Sequence, residues 1–251
     1  MKTTSLLTLT IAAGSLMAFA ARGGIVGSPH DFSHYSWNTD PADPATVCST
    51  CHTPHHADNS VAPLWGHQIT SQNFILYTGV GVPGSAMQAV PSQSQLNQSL
   101  ACLSCHDGTV AINTYGGNPQ WGGPAWKNQY NAAGQFLTNS ALITVNNNDL
   151  SHSHPIGFTY DSTLVSKDKF LRQPTANVLI PVSGQWNPPS DPTVNGFLLN
   201  GNNTVECTSC HDVHNEAGTP YDPTANRNLV KIVGVDGNGD GSLLCRSCHN
   251  K

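Results

Sequence analysis

The sequence predicts a mostly coil fold, with short helical turns and a few short β-strands, whose core is not built mainly from side chains. Three observations lead there. Charged residues make up 10% of the chain and hydrophobic residues 38%, against roughly 25% charged in an average soluble domain. The gap is filled by Gly, Asn, Ser, Thr and Pro, so there is little aliphatic material to bury against the entropy of ordering the backbone. No apolar periodicity sustains an amphipathic helix much beyond a dozen residues. Finally, all eight Cys fall into four copies of one short motif.

The copies are Cys48-Ser-Thr-Cys51-His52, Cys102-Leu-Ser-Cys105-His106, Cys207-Thr-Ser-Cys210-His211 and Cys245-Arg-Ser-Cys248-His249. CxxCH is the attachment signature of haem c. Two thiols one helical turn apart add to the two vinyl groups of the porphyrin, and the following His lies under the ring as the proximal iron ligand. The pattern therefore predicts four covalent haems, with the eight Cys as attachment points and His52, His106, His211 and His249 as proximal ligands. Disulfides suit an exported protein with an even Cys count, but they give no reason for a His after every pair. Zinc ribbons also use paired CxxC and leave the His equally unexplained. With 12 His in 251 residues, independent placement would put one after all four pairs about five times in a million. Thioredoxin-like CxxC motifs occur within a βαβ pattern, which is absent around these four. Stacked haems would supply the core that the side chains lack, making the fold class a mostly coil multihaem cytochrome c.

Residues 1–20 read as an export signal. Lys2 precedes an apolar run from Leu6 to Ala20, and Ala18-Phe19-Ala20 has the small-x-small form of a cleavage site. The run is too short for a membrane span. Residues 21–251 then form one tetrahaem domain, exported to the cell surface or beyond, or alternatively to the periplasm. An arm rich in Pro, His and aromatics leads to Cys48. The second motif follows about fifty residues later, and the third about a hundred after that, with the fourth close behind. Between the second and third, Val110-Ala111-Ile112 and Ala141-Leu142-Ile143-Thr144-Val145 read as short strands. Asn146-Asn147-Asn148 and Pro188-Pro189 read as loops. The expected helices are single turns at the motifs. Asp236-Gly237-Asn238-Gly239-Asp240-Gly241 resembles the start of a calcium loop, but Ser247 stands where the bidentate Glu is needed, so a Gly/Asp turn is the expectation. Ten basic residues and a net charge of −5 carry no nucleic-acid signature.

The sixth iron ligand separates an electron carrier from a catalyst. Outside the signal only Met87 remains, in a Gly-Ser-Ala-Met loop context. Eight His remain beyond the motifs. His55 and His214 each follow a motif His by three residues, where a helical continuation would aim them at a neighbouring haem. His154 precedes Pro-Ile-Gly, His67 follows Leu-Trp-Gly, and His30 lies in the N-terminal arm. These five are the distal candidates, one more than needed. His34, His56 and His152 each sit beside a better-placed His and rank lower. Catalysis, as in a multihaem reductase, would need an open iron, often with Lys replacing the proximal His. All four motifs end in His, so electron transfer without catalysis is expected.

The runs Cys-Ser-Thr-Cys-His52-Thr-Pro-His55, Ala-Pro-Leu-Trp65-Gly-His67, Cys-Leu-Ser-Cys-His106-Asp-Gly-Thr, His154-Pro-Ile-Gly and Cys-His211-Asp-Val-His214 together resemble the OmcE-like extracellular tetrahaem cytochromes of metal-reducing bacteria. The resemblance spans about His30 to His249. It implies bis-His haems stacked in parallel and T-shaped pairs and a mostly coil fold. It also implies head-to-tail polymerisation into filaments and delivery of electrons to redox partner cytochromes and extracellular acceptors. In similar filaments one axial His comes from the adjacent subunit, which points to His55, with His30 as the second choice and with His56 standing where an Asn is expected.

Overall fold

The computed structural model describes residues 24–34, 47–79, 87–110, 142–144, 146, 148–181, 186–220, 222, 224, 226, 228–235 and 242–250. The expected export signal at 1–20, the calcium-like run 236–241 and the ends of both expected middle strands lie outside them. Of the second expected strand, 142–144 are described and take no strand conformation.

Regular elements are few and short. Helix α1 (Ser99–His106) carries the second motif and is two turns long rather than the expected one. Its extra turn is Ser-Leu-Ala, where Leu and Ala are strong helix formers, and Ala101 and Leu103 face inward. The helix stops where Asp107 bonds its N–H back to Leu103 O at 2.9 Å and Gly108 takes φ +76°. Helix α2 (Ser162–Lys167) starts at Asp161, whose carboxylate accepts from Leu164 N at 2.8 Å, and it buries Leu164 and Val165. Helices α3 (Cys207–Cys210) and α4 (Leu243–Cys248) are the third and fourth motifs. The first motif, at Cys48–His52, is a hydrogen-bonded turn, with His52 N donating to Cys48 O at 2.9 Å.

Strands β1 (Phe158–Thr159) and β2 (Thr204–Val205) pair antiparallel, with Phe158 opposite Val205. Both are buried and share one apolar cluster. Gly157 extends the pairing by donating to Val205 O at 2.7 Å. Its φ of +73° and a neighbour 2.9 Å from a built Cβ, Leu96 Cδ2, leave room for glycine alone. This small ribbon does the positioning. β2 runs straight into α3, and β1 follows His154-Pro-Ile-Gly157, so the ribbon carries the His154 segment to the third motif.

Buried apolar side chains form separate clusters rather than one core. The largest gathers Phe158, Tyr160, Val194, Phe197, Leu198, Ile232 and Leu243, with Cys248 packed on it. A five-residue π-helical turn, Val194–Leu198, supplies three of these, held by Thr193 Oγ1 accepting from Gly196 N at 3.0 Å. A second cluster joins Phe74, Leu96, Leu103 and Leu150, and a third joins Val61, Trp65 and Ala101 around Cys51. Each fully buried Leu or Phe contributes about 1.5–3 kcal/mol, so the clusters pin the motif segments. No described helix is long and apolar enough to cross a membrane.

Candidate haem-attachment and axial-ligand sites

All eight Cys are free thiols, at positions where thioether sulfurs would stand after haem attachment. The second Cys of every motif turns inward. Burial pushes the Cys51 and Cys210 thiols up to about 11 and Cys248 to about 12, and it raises Cys105 further still. After burial, Cys105 is raised next by Cys51, and Cys248 next by Cys210. The Cys102 and Cys207 thiols share a hydrogen bond, which raises the first and lowers the second. These influences put each motif near the next in sequence order, from first to fourth.

Three of the four motif His lie opposite a second imidazole. His52 and His214 have ring centres 5.9 Å apart, His106 and His30 6.0 Å, and His249 and His154 6.3 Å. An imidazole nitrogen bonds a transition metal at about 2 Å and lies about 1.1 Å from its ring centre, so two trans imidazoles on one ion stand about 6 Å apart. The interplanar angles of 26°, 58° and 75° vary, as rotation about the two metal–nitrogen bonds allows. Among the described residues no three His, Cys, Asp or Glu converge as ligands for a bare ion. An iron already bound by four porphyrin nitrogens needs only pairs from the protein, so the donor set fits haem.

The outer nitrogens fit as well. His52 Nδ1 lies 2.8 Å from Pro63 O, His211 Nδ1 2.8 Å from Asn228 O, His154 Nδ1 2.9 Å from Pro155 O and His67 Nδ1 3.0 Å from Gln68 O. A ring that donates Nδ1–H to a carbonyl leaves Nε2 unprotonated for a metal and is made more basic. His30 Nδ1 is buried with no hydrogen-bond partner. Burial, followed by repulsion from His106 and then His211, lowers the His30 pKa to about 4, so this ring is held neutral and ligand-competent.

The first and third motifs share a cradle that no sequence pattern announces. Thr53 N donates to Leu64 O and Asp212 N to Leu229 O, both at 2.8 Å. Gly66 N donates to Cys51 O and Lys231 N to Cys210 O, again at 2.8 Å. Leu64 and Leu229 have φ of 55° and 52°, conformations that a leucine rarely adopts. In each cradle the carbonyl before that leucine receives the motif His. Pro-Leu-Trp and Asn-Leu-Val are too unlike to reveal the repeat. The one visible signal is the shared CxxCHxxH, which makes His55 and His214 equivalent.

The remaining candidates divide. His214 does meet a neighbouring motif, but not by a helical continuation. α3 ends at Cys210 and His211 is extended, so the chain swings rather than spirals. His55 and His56 are exposed and meet no motif His among the described residues, and His211 has no ring facing it there, though it lies close enough to His30 to oppose its charge. His67 is buried, with Nε2 3.6 Å from Cys105 Sγ, beside the second motif rather than across from a motif imidazole. His152 is exposed and faces Asp149 at 3.7 Å. His34 ends a 3-10 turn, and Met87 lies in coil. Sequence reasoning missed Asp107, which is fully buried beside His106. Its carboxylate accepts from the Thr70 hydroxyl and from Thr109 N, the latter at 2.7 Å.

No protein-family model matches this chain, and no curated protein matches it either.

Proposed function

We propose that this protein is an exported c-type cytochrome carrying four covalent haems c with bis-His iron, and that it moves electrons rather than catalysing a reaction. The observation that carries the reading is the set of three motif His each facing a second imidazole at 5.9–6.3 Å. Haem c supplies a one-electron iron couple. The chain supplies eight sulfurs, four proximal imidazoles and distal imidazoles from remote segments. Carbonyls at Pro63, Asn228 and Pro155 orient the rings, and the buried edge of each motif excludes water. With Met ligation absent, the potentials would lie on the negative side of the cytochrome range.

The reading extends to assembly into a head-to-tail extracellular filament that hands electrons to external acceptors. His214 of the third cradle faces His52 of the first, so equivalence assigns His55 of a first cradle to His211 of a third. Within one chain that second pairing is not formed among the described residues. Both groups are exposed, and His55 of a second copy would complete the set. Such contacts are heterologous and propagate unless the rotation closes a ring.

Intact mass, a pyridine haemochrome assay and EPR of the secreted protein test the reading. Four haems per chain, all low-spin, are expected. Zinc or disulfides at the CxxC pairs would overturn it. Negative-stain microscopy should show filaments, and a protein that stays monomeric at high concentration would be a periplasmic shuttle with the same haems.

A further inference from the structure

The second and third motifs are far apart in sequence, yet their helices meet at their first turns. Two reciprocal hydrogen bonds make the junction. Glu206, the residue before α3, accepts from Ser99 N at the start of α1 at 2.8 Å. Ser99 Oγ in turn accepts from Cys207 N at the start of α3 at 3.0 Å. Each helix thus has an orphan N-terminal N–H satisfied by a side chain from the other. Ser99 is fully buried and Glu206 is 4% exposed. Glu206 N is held by Ser209 Oγ at 2.9 Å. An outer layer closes over the junction, where Gln98 Oε1 accepts from Thr208 Oγ1 at 2.8 Å and Asn200 Nδ2 at 3.1 Å.

A carboxylate is an expensive group to bury for a structural cap, because desolvation opposes its charge. Burial does raise the Glu206 pKa, against the bonds from the Ser99 and Gln98 backbone that lower it. A neutral residue at the start of either helix would cap it without that cost. What the carboxylate adds is a charge-assisted bond, shorter and stronger than a neutral one, at the place where the first turns of the two motif helices meet.

We propose that Ser99 and Glu206 are a positioning pair that holds the second and third haem-attachment helices tip to tip and so sets the electron crossing between the two haems they carry. The inference rests on the tetrahaem reading. With the starts of α1 and α3 joined by these two bonds, haems carried on Cys102/Cys105 and Cys207/Cys210 would be held close, and one electron could pass from one iron to the other. Neither residue touches iron. Their effect is on distance and orientation.

The test uses the full-length holoprotein with Glu206→Ala, Ser99→Ala and Glu206→Gln. NMR redox titration, which resolves the haem methyls haem by haem, reads the pairwise interaction between the second and third haems. Glu206→Ala and Ser99→Ala should weaken that interaction while keeping four low-spin haems and leaving the first–second and third–fourth interactions unchanged. Glu206→Gln, whose neutral amide oxygen still accepts from Ser99 N, should fall between wild type and Glu206→Ala. If Glu206→Ala does not accumulate, Ser99→Ala decides, since it deletes one hydroxyl only. A wild-type interaction in Ser99→Ala, in a protein with four haems, overturns the positioning role and leaves the cytochrome reading standing. A wild-type protein without haem on the second and third motifs overturns both.

Discussion

Replacing His214 by Ala should open a single iron. The His214 ring faces His52 with centres 5.9 Å apart, close to the roughly 6 Å that trans imidazoles on one metal require. The substitution removes that ring and little else. His214 is exposed, and its local fold is held by backbone groups that Ala retains: His214 O accepts from Gly24 N at 2.8 Å, and His214 N donates to Asp212 Oδ1 at 3.0 Å. An exposed substitution that keeps such bonds changes stability by about 0.5 kcal/mol or less. Four haems should stay attached, since the eight Cys are untouched. One haem in four, hence a quarter of the low-spin signal, should convert to high spin, and added imidazole should restore it. EPR of the oxidised protein and the visible spectrum with and without imidazole measure this. A variant with all haems still low-spin would refute the His52–His214 pairing. Loss of two low-spin haems would mean that His214 supports more than one iron.

Other outcomes are equally specific. His55→Ala should keep four haems but yield monomers or short oligomers by microscopy, with one iron newly high-spin, whereas normal filaments would remove His55 as the bridging ligand. His30 has its folded pKa lowered from 6.5 to about 4, chiefly by burial. In the chain before iron is bound, its contribution to stability is therefore complete above 6.5 and is lost as pH falls through about 4, so a His30→Ala variant should show a weaker loss of stability between those pH values in denaturant unfolding. Tyr160, 2% exposed, donates its hydroxyl to Arg172 O at 2.7 Å and Cys248 O at 3.0 Å. Tyr160→Phe should cost about 1–2 kcal/mol in denaturant unfolding, with haem content unchanged.

How much was legible in the sequence varies from residue to residue for physical reasons. Cys207, Cys210 and His211 are contiguous, so one helical turn determines their mutual geometry, and the same holds for the other motifs. The scarcity of aliphatic residues is compatible with the short elements observed, while the separate apolar clusters were not foreseen. The second turn of α1 escaped notice because Ser-Leu-Ala carries no cap signal, only helix-forming residues with a buried face. The distal His were harder. His30, His154 and His214 could be named as candidates from neighbouring residues, but His67 could be named on the same grounds, and it lies against Cys105 Sγ instead of facing a motif imidazole.

The sequence by itself therefore determined which residues make up the four CxxCH motifs, which His follows each Cys pair and how little regular structure to expect. Each of these depends on residues within one or two turns of one another. Only the tertiary structure decided that His214 meets His52, that His30 meets His106 and that His154 meets His249. It alone brought Ser99 and Glu206 together across 107 residues. Such pairings follow from the whole path of the chain, from the β1–β2 ribbon and from the leucines at positive φ. An isolated His or Glu has no local signature of the group it will face, because nothing in its own dihedrals or neighbours depends on that group until the chain closes.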